Sequence, residues 1–151
     1  MSRRPLRHLV LVLGSAPVVD LDALRVFQRR ADAVYVDPAI IEYAVRLTTA
    51  TRDPSSVAKA ELARFVTFGA SPRASINMVL AGRALAFLRG RDFTLPTDIR
   101  GLAPDVLRHR IVLSYEALAE DLRPDDLLAP LIDAVAMPAT QQVLQDVEYC
   151  Q

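Results

Sequence analysis

Apolar positions recur at three- and four-residue spacing in several separate stretches of this chain, and each stretch predicts a helix. In "DLDALRVFQRRAD" Leu24, Phe27 and Ala31 share a face with Arg25, Arg29 and Arg30 off it, which predicts a short helix over about 21–31 with Asp20 or Asp22 as cap. "VYVDPAIIEYAVRLTTATRDP" has a cleaner start, with Asp37 as N-cap and Pro38 in the first helical position, where its missing N–H costs nothing. Ile41, Ala44, Val45 and Thr48 form its expected apolar face, and Asp53-Pro54 its end.

The strongest pattern begins at Ser71-Pro72. Ile76, Val79, Leu80, Ala84, Phe87 and Leu88 repeat at helical spacing until Gly90 offers a left-handed stop. Ser71 is the expected cap. Two shorter helices, opened by Pro96 and Pro104, and a last one in "RPDDLLAPLIDAVAMP", kinked or split by Pro130, complete the helical set. Extended backbone is expected at 64–68 and 110–113, where β-branched and aromatic residues gather. Leu9 to Leu13 reads as a buried strand, and the residues after Pro138 carry little pattern. The fold class is therefore mainly α, a small helical bundle with a short N-terminal strand and linker over 1–33, a helical domain over 34–138 and a loosely ordered tail over 139–151.

Composition narrows the function. The chain has 151 residues, 52% hydrophobic and 24% charged, enough for one domain with a real core. A formal net charge of zero argues against nucleic-acid and membrane-surface partners, including a helix-turn-helix reading of the segment after Ser71. Lys59 is the lone lysine, and Cys150, one residue from the end, has no disulfide partner, so a cytoplasmic setting is expected. The apolar run at Leu9 is shorter than the core of a signal peptide.

Candidate chemistry is sparse. His8 and His109 lack partners at metal-ligand spacing, and His109 reads as a partly buried packing residue. Asp125 and Asp126 read as favouring a helix N-terminus. "FGASPRAS" differs. Gly69 permits an unusual backbone angle, Ser71 holds the first turn, the N–H groups of Arg73, Ala74 and Ser75 start a helix, and Arg73 adds a planar guanidinium at the same place. That is half of a phosphate site.

"GASPRAS" followed by "ALAFLRGRDFTLPTDIRGLAPDVLRHRIVLS" closely resembles the C-terminal lid domain of the MoxR family of AAA+ ATPases. There a GASPRA stretch opens a lid helix, and a GRD element, a P-x-D helix and an LRHR stretch follow. The likeness runs from about Val34 to about Pro138. It implies that Arg73 is the sensor-2 arginine, reaching the terminal phosphate of ATP, with Gly69, Ser71 and Ala74 setting its position. It further implies ATP and magnesium bound mainly by a core domain, ring hexamers, chaperone-like remodelling, and partners with von Willebrand factor A domains. The 151 residues hold no G-x-x-x-x-G-K-[ST] loop and no acidic pair of the Walker B kind, so on their own they are not expected to hydrolyse ATP. Leu95 stands where a small polar cap is usual before the P-x-D helix. A stand-alone helical protein-interaction module, using an exposed face of the helix from Pro72 to Arg89, is the alternative expectation.

Overall fold

The computed structural model describes residues 18–139. The expected strand at Leu9–Leu13, His8, Cys150 and most of the tail lie outside them. Six α-helices carry the fold: α1 (Leu21–Asp32), α2 (Pro38–Arg52), α3 (Arg73–Leu88), α4 (Pro96–Leu107), α5 (Tyr115–Ala119) and α6 (Pro124–Ala134). Two short strands, β1 (Val66–Phe68) and β2 (Val112–Leu113), pair antiparallel, with Val66 opposite Leu113 and Phe68 opposite Val112 across an irregular step. The sequence pattern located both strands and every helix except α5.

Local chemistry explains most boundaries. Asp20 caps α1 and Asp37 caps α2, their carboxylates accepting the N–H groups of Ala23 at 2.7 Å and Ala39 at 2.6 Å. Helix α3 ends at Gly90, whose φ of 70° is left-handed; Gly90 N–H donates to Phe87 O and Arg91 N–H to Ala86 O, both at 2.9 Å, a Schellman closure. Leu95 does not disturb the start of α4, because the Asp98 carboxylate accepts the Leu95 N–H at 2.9 Å and does the capping from the third helical position.

Helices α2, α3, α4 and α6 enclose the main core, where Ile40, Tyr43, Leu47, Met78, Ile99, Leu107 and Leu128 are sealed from solvent. A smaller cluster of Phe65, Ala117 and Leu127 lies under the two strands. The segment before α2 is tied down by Tyr35 N–H to Asp92 O (2.8 Å) and Thr94 N–H to Tyr35 O (3.0 Å). Helix α1 has no buried residue and touches α3 through the ring pair Phe27–Phe87.

Five expectations need correction. The buried stripe of α2 is Ile40, Tyr43, Ala44, Leu47, Thr48 and Thr51, leaving Ile41 and Val45 outside. On α3 the core-facing stripe is Ala74, Met78, Gly82 and Ala86, so the larger apolar residues Ile76, Leu80 and Leu88 face outward. The packing is close at Gly82: a Cβ built there would stand 2.7 Å from Ile99 Cδ1 and 3.1 Å from Thr94 Cγ2, so a side chain at this position would have to push the tip of Ile99 aside. The expected pair of helices at Pro96 and Pro104 is one helix, α4. Pro104 cannot donate to the carbonyl of Arg100, but buried Ala103 and Leu107 on either side hold the helix on the core through that gap. Pro130 likewise sits inside an unbroken α6. His109 is exposed, in a 3₁₀ turn over Arg108–Arg110.

Candidate functional site

The stretch from Gly69 to Arg73 crosses the C-terminal end of α2, and a buried threonine governs the crossing. Thr51 Oγ donates to Thr48 O at 2.7 Å and accepts the Ala70 N–H at 2.9 Å, so one hydroxyl closes the last turn of α2 and clips the incoming loop to it. Thr51 is 1% exposed and Ala70 fully buried. Gly69 is required for space and not for an unusual angle, which corrects the expectation: among the described glycines only Gly90 has positive φ. A Cβ on Gly69 would meet the Thr51 carbonyl, with its carbon 2.5 Å away, and Arg52 Cγ at 2.6 Å.

The loop so fixed delivers the first turn of α3. Ser71 does not cap it through its side chain, as was expected; the N-cap position is Pro72 and no side chain accepts there. Instead the backbone closes on itself, with Ala74 N–H donating to Ser71 O at 2.9 Å and Ser75 N–H to Pro72 O at 3.2 Å. Two of the three N–H groups expected to be open to an anion are therefore occupied. Ala74 points its methyl into the core and serves packing. What remains is Arg73, exposed on the opening turn, with no hydrogen-bond or ion-pair partner among the described residues. A cation at a helix N-terminus is electrostatically disfavoured unless something negative approaches.

Substituting Thr51 by Val keeps the shape but leaves the Ala70 N–H buried and unpaired. We expect a loss of about 1–2 kcal/mol in urea unfolding, and near wild-type stability for Thr51→Ser.

At the opposite, C-terminal end of α3, Arg91 and Arg89 converge on Asp98, which is fully buried: Oδ1 accepts from Arg89 Nη1 at 2.7 Å and Arg91 Nη2 at 2.8 Å. Burial pushes the Asp98 carboxyl up, but the hydrogen bonds from Arg91 and the Leu95 N–H, with the charges of Arg91 and Arg89, outweigh it and hold the carboxyl below the usual range. Asp125 and Asp126 stand in the first turn of α6, as expected; Asp126 accepts the Arg123 N–H at 2.8 Å, and Asp125 also pairs with Arg108 at 2.8 Å. Among the described residues no group of three His, Cys, Asp or Glu could hold a metal, and no helix is long and apolar enough to cross a membrane.

Residues 59–131, which include Arg73, the Arg91–Asp98 pair and the whole of α3 and α4, match the AAA lid domain family. Chaperone MoxR1 of Mycobacterium tuberculosis is 42% identical over 82% of this chain, and Protein MoxR of Paracoccus denitrificans is 38% identical over 66% of it. The chain carries a lid domain of the MoxR family of AAA+ ATPases. A crystal structure of a Cytophaga hutchinsonii protein assigned as an ATPase superposes with a TM-score of 0.71 at 33% identity, over 74% of this chain and 34% of that one. The chain spans 33% of the length of MoxR1 and 30% of the P. denitrificans MoxR. In this MoxR-type lid the GASPRA stretch is the loop clipped by Thr51, the GRD element is the Schellman turn leading to Arg91, and the P-x-D helix is α4 capped by Asp98.

Proposed function

We propose that this lid senses ATP through Arg73, closing over nucleotide held by the core of a MoxR-type ATPase. One observation carries the reading: Arg73 is presented, exposed and unpaired, by a turn that Gly69, Thr51 and Ala70 fix against α2. A guanidinium offers planar paired donors that suit phosphate oxygens, and the first turn of α3 adds its dipole to an incoming anion. With the terminal phosphate present, the contact draws the lid toward the nucleotide. After cleavage, that charge leaves and the lid is released, so the phosphate state becomes a change in lid position. Magnesium, held by the core domain and not by residues of this lid, would supply neutralising charge to the phosphates during transfer.

The same reading includes a cytoplasmic ring, hexameric by family resemblance, that remodels other proteins, and partners with von Willebrand factor A domains. The relative called Chaperone MoxR1 supports the remodelling role. A second reading, an interaction module acting through α3, draws support from the exposure of Ile76, Leu80 and Leu88.

In the complete ATPase, Arg73→Ala is expected to lower kcat for ATP hydrolysis about 100-fold, the scale of losing one preorganised donor to the developing charge. Stability of this domain should change by less than about 0.5 kcal/mol. Unimpaired hydrolysis would sink the proposal, and so would loss of the fold.

A further inference from the structure

A cleft of about 520 Å³ lies between the second half of α2, the 3₁₀ turn Pro54–Val57 and the end of α6, and no residue of α3 lines it. That volume is in the range of sites that enclose small organic groups. Its polar groups are few and differ in kind. Among the described lining residues Arg46 carries the only charge, and Thr49 stands next to it, one turn further along α2. Ser56 brings a second hydroxyl, and Val57, Ala134 and Val135 make the apolar wall.

Arg46 is held from two directions. Its Nη2 donates to Ala136 O at 2.5 Å, and its guanidinium carbon lies 5.9 Å from the centre of the Tyr43 ring. Nε and Nη1 have no hydrogen-bond or ion-pair partner among the described residues, so a positioned cation keeps donors for an anion. The Thr49 hydroxyl, also without a partner among the described residues, adds another donor. Ser56 has the reverse character. Its hydroxyl donates to Asp53 O at 2.6 Å, so any further bond to Oγ must be one that it accepts. The turn that carries Ser56 is closed by Ala58, left-handed at a φ of 57° despite its Cβ, a costly shape held by Ala58 N–H to Ser55 O (3.1 Å) and Lys59 N–H to Pro54 O (2.9 Å).

We infer that this cleft captures the carboxyl terminus of a partner polypeptide whose last residue is apolar. The carboxylate meets Arg46 and Thr49, the amide N–H of the last residue donates to Ser56 Oγ, and its side chain lies on Val57 and Val135. A phosphate would leave the Ser56 acceptor and the apolar wall unused, and a neutral apolar group would leave Arg46 without an anion. The proposal is independent of Arg73 and of nucleotide.

The test uses the full 151-residue chain, ¹⁵N-labelled and titrated with acetyl-Ala-Val bearing a free carboxylate. Saturable shifts are expected at the Thr49 and Ser56 amides and at Arg46 Nε. The carboxamide of the same dipeptide should bind at least about tenfold more weakly, the scale of one charge-assisted bond. Arg46→Gln should weaken the acid by a similar factor with the melting temperature near wild type, and Thr49→Val should act in the same direction by less. A ten-residue peptide ending in Ala-Val with a free carboxylate should bind at least as tightly as the dipeptide. Equal binding of acid and amide would overturn the inference, as would shifts confined to other residues, saturation by acetate at the same concentration, or a ten-residue peptide that no longer binds. The comparison of acid with amide is made on the wild-type chain, so it holds however either variant folds.

Discussion

Asp98→Ala is expected to lower the unfolding free energy by about 3 kcal/mol, the largest loss from a single side chain that we anticipate. One carboxylate here does two jobs. It accepts the Leu95 N–H and so starts α4, and it gathers Arg89 and Arg91 from the turn that follows α3. Loss of an N-terminal cap costs about 1 kcal/mol, and hydrogen bonds to charged groups contribute about 1.5–3 kcal/mol. Because the Arg89 side chain is 56% exposed and Arg91 21% exposed, both cations can regain water, which keeps the loss below the upper end of the range for breaking buried pairs. Thermal unfolding should fall by about 10 °C for a domain of this size.

The same residue sets a pH dependence whose sign follows from its depressed carboxyl. Asp98 holds its proton less tightly in the folded chain than in the unfolded one, so its stabilisation is fully present above the ordinary carboxyl range and is lost as pH falls through the folded value. Urea titrations near pH 7 and pH 3 should show wild type losing more stability on acidification than Asp98→Asn. Equal losses would mean that the Arg89–Asp98–Arg91 cluster contributes nothing net.

Gly69→Val should be nearly as damaging, at about 2–3 kcal/mol, with a second consequence for the site. The new side chain would collide with the backbone of Thr51 and the stem of Arg52, neither of which can rotate away as a flexible tip would. The loop must then lift from α2, which breaks the Ala70–Thr51 bond and shifts the first turn of α3. Gly69→Ala should follow the same direction with a smaller loss. In the complete ATPase, hydrolysis should fall together with stability, unlike in Arg73→Ala, where hydrolysis falls alone. Urea unfolding and a hydrolysis assay on the three variants separate these cases.

Much of the fold was legible because its helix ends are chemically marked: Asp37-Pro38 opens α2, Gly90 closes α3 and Pro96 opens α4. The choice of buried face was not, since α2 and α3 are apolar on more than one side and periodicity alone does not say which side meets a neighbour. On α3 the answer lay in the small residues Ala74, Gly82 and Ala86, whose spacing of four and eight marks close helix contact as clearly as Leu or Ile marks a wider one. Helix α5, five residues long, is too short to show a period. At the site, Arg73 stood out as a cation at a helix start, whereas Thr51 gave no local signal. Its partner Ala70 lies 19 residues away, a pairing that only the crossing of the loop over α2 creates.

The most direct measurement is a structure of the complete ATPase with magnesium and a slowly hydrolysed ATP analogue. A guanidinium nitrogen of Arg73 within about 2.7–3.2 Å of an oxygen on the terminal phosphate is the predicted result. A closed lid with the nucleotide bound and Arg73 paired to a protein carboxylate, or turned to solvent, would contradict it.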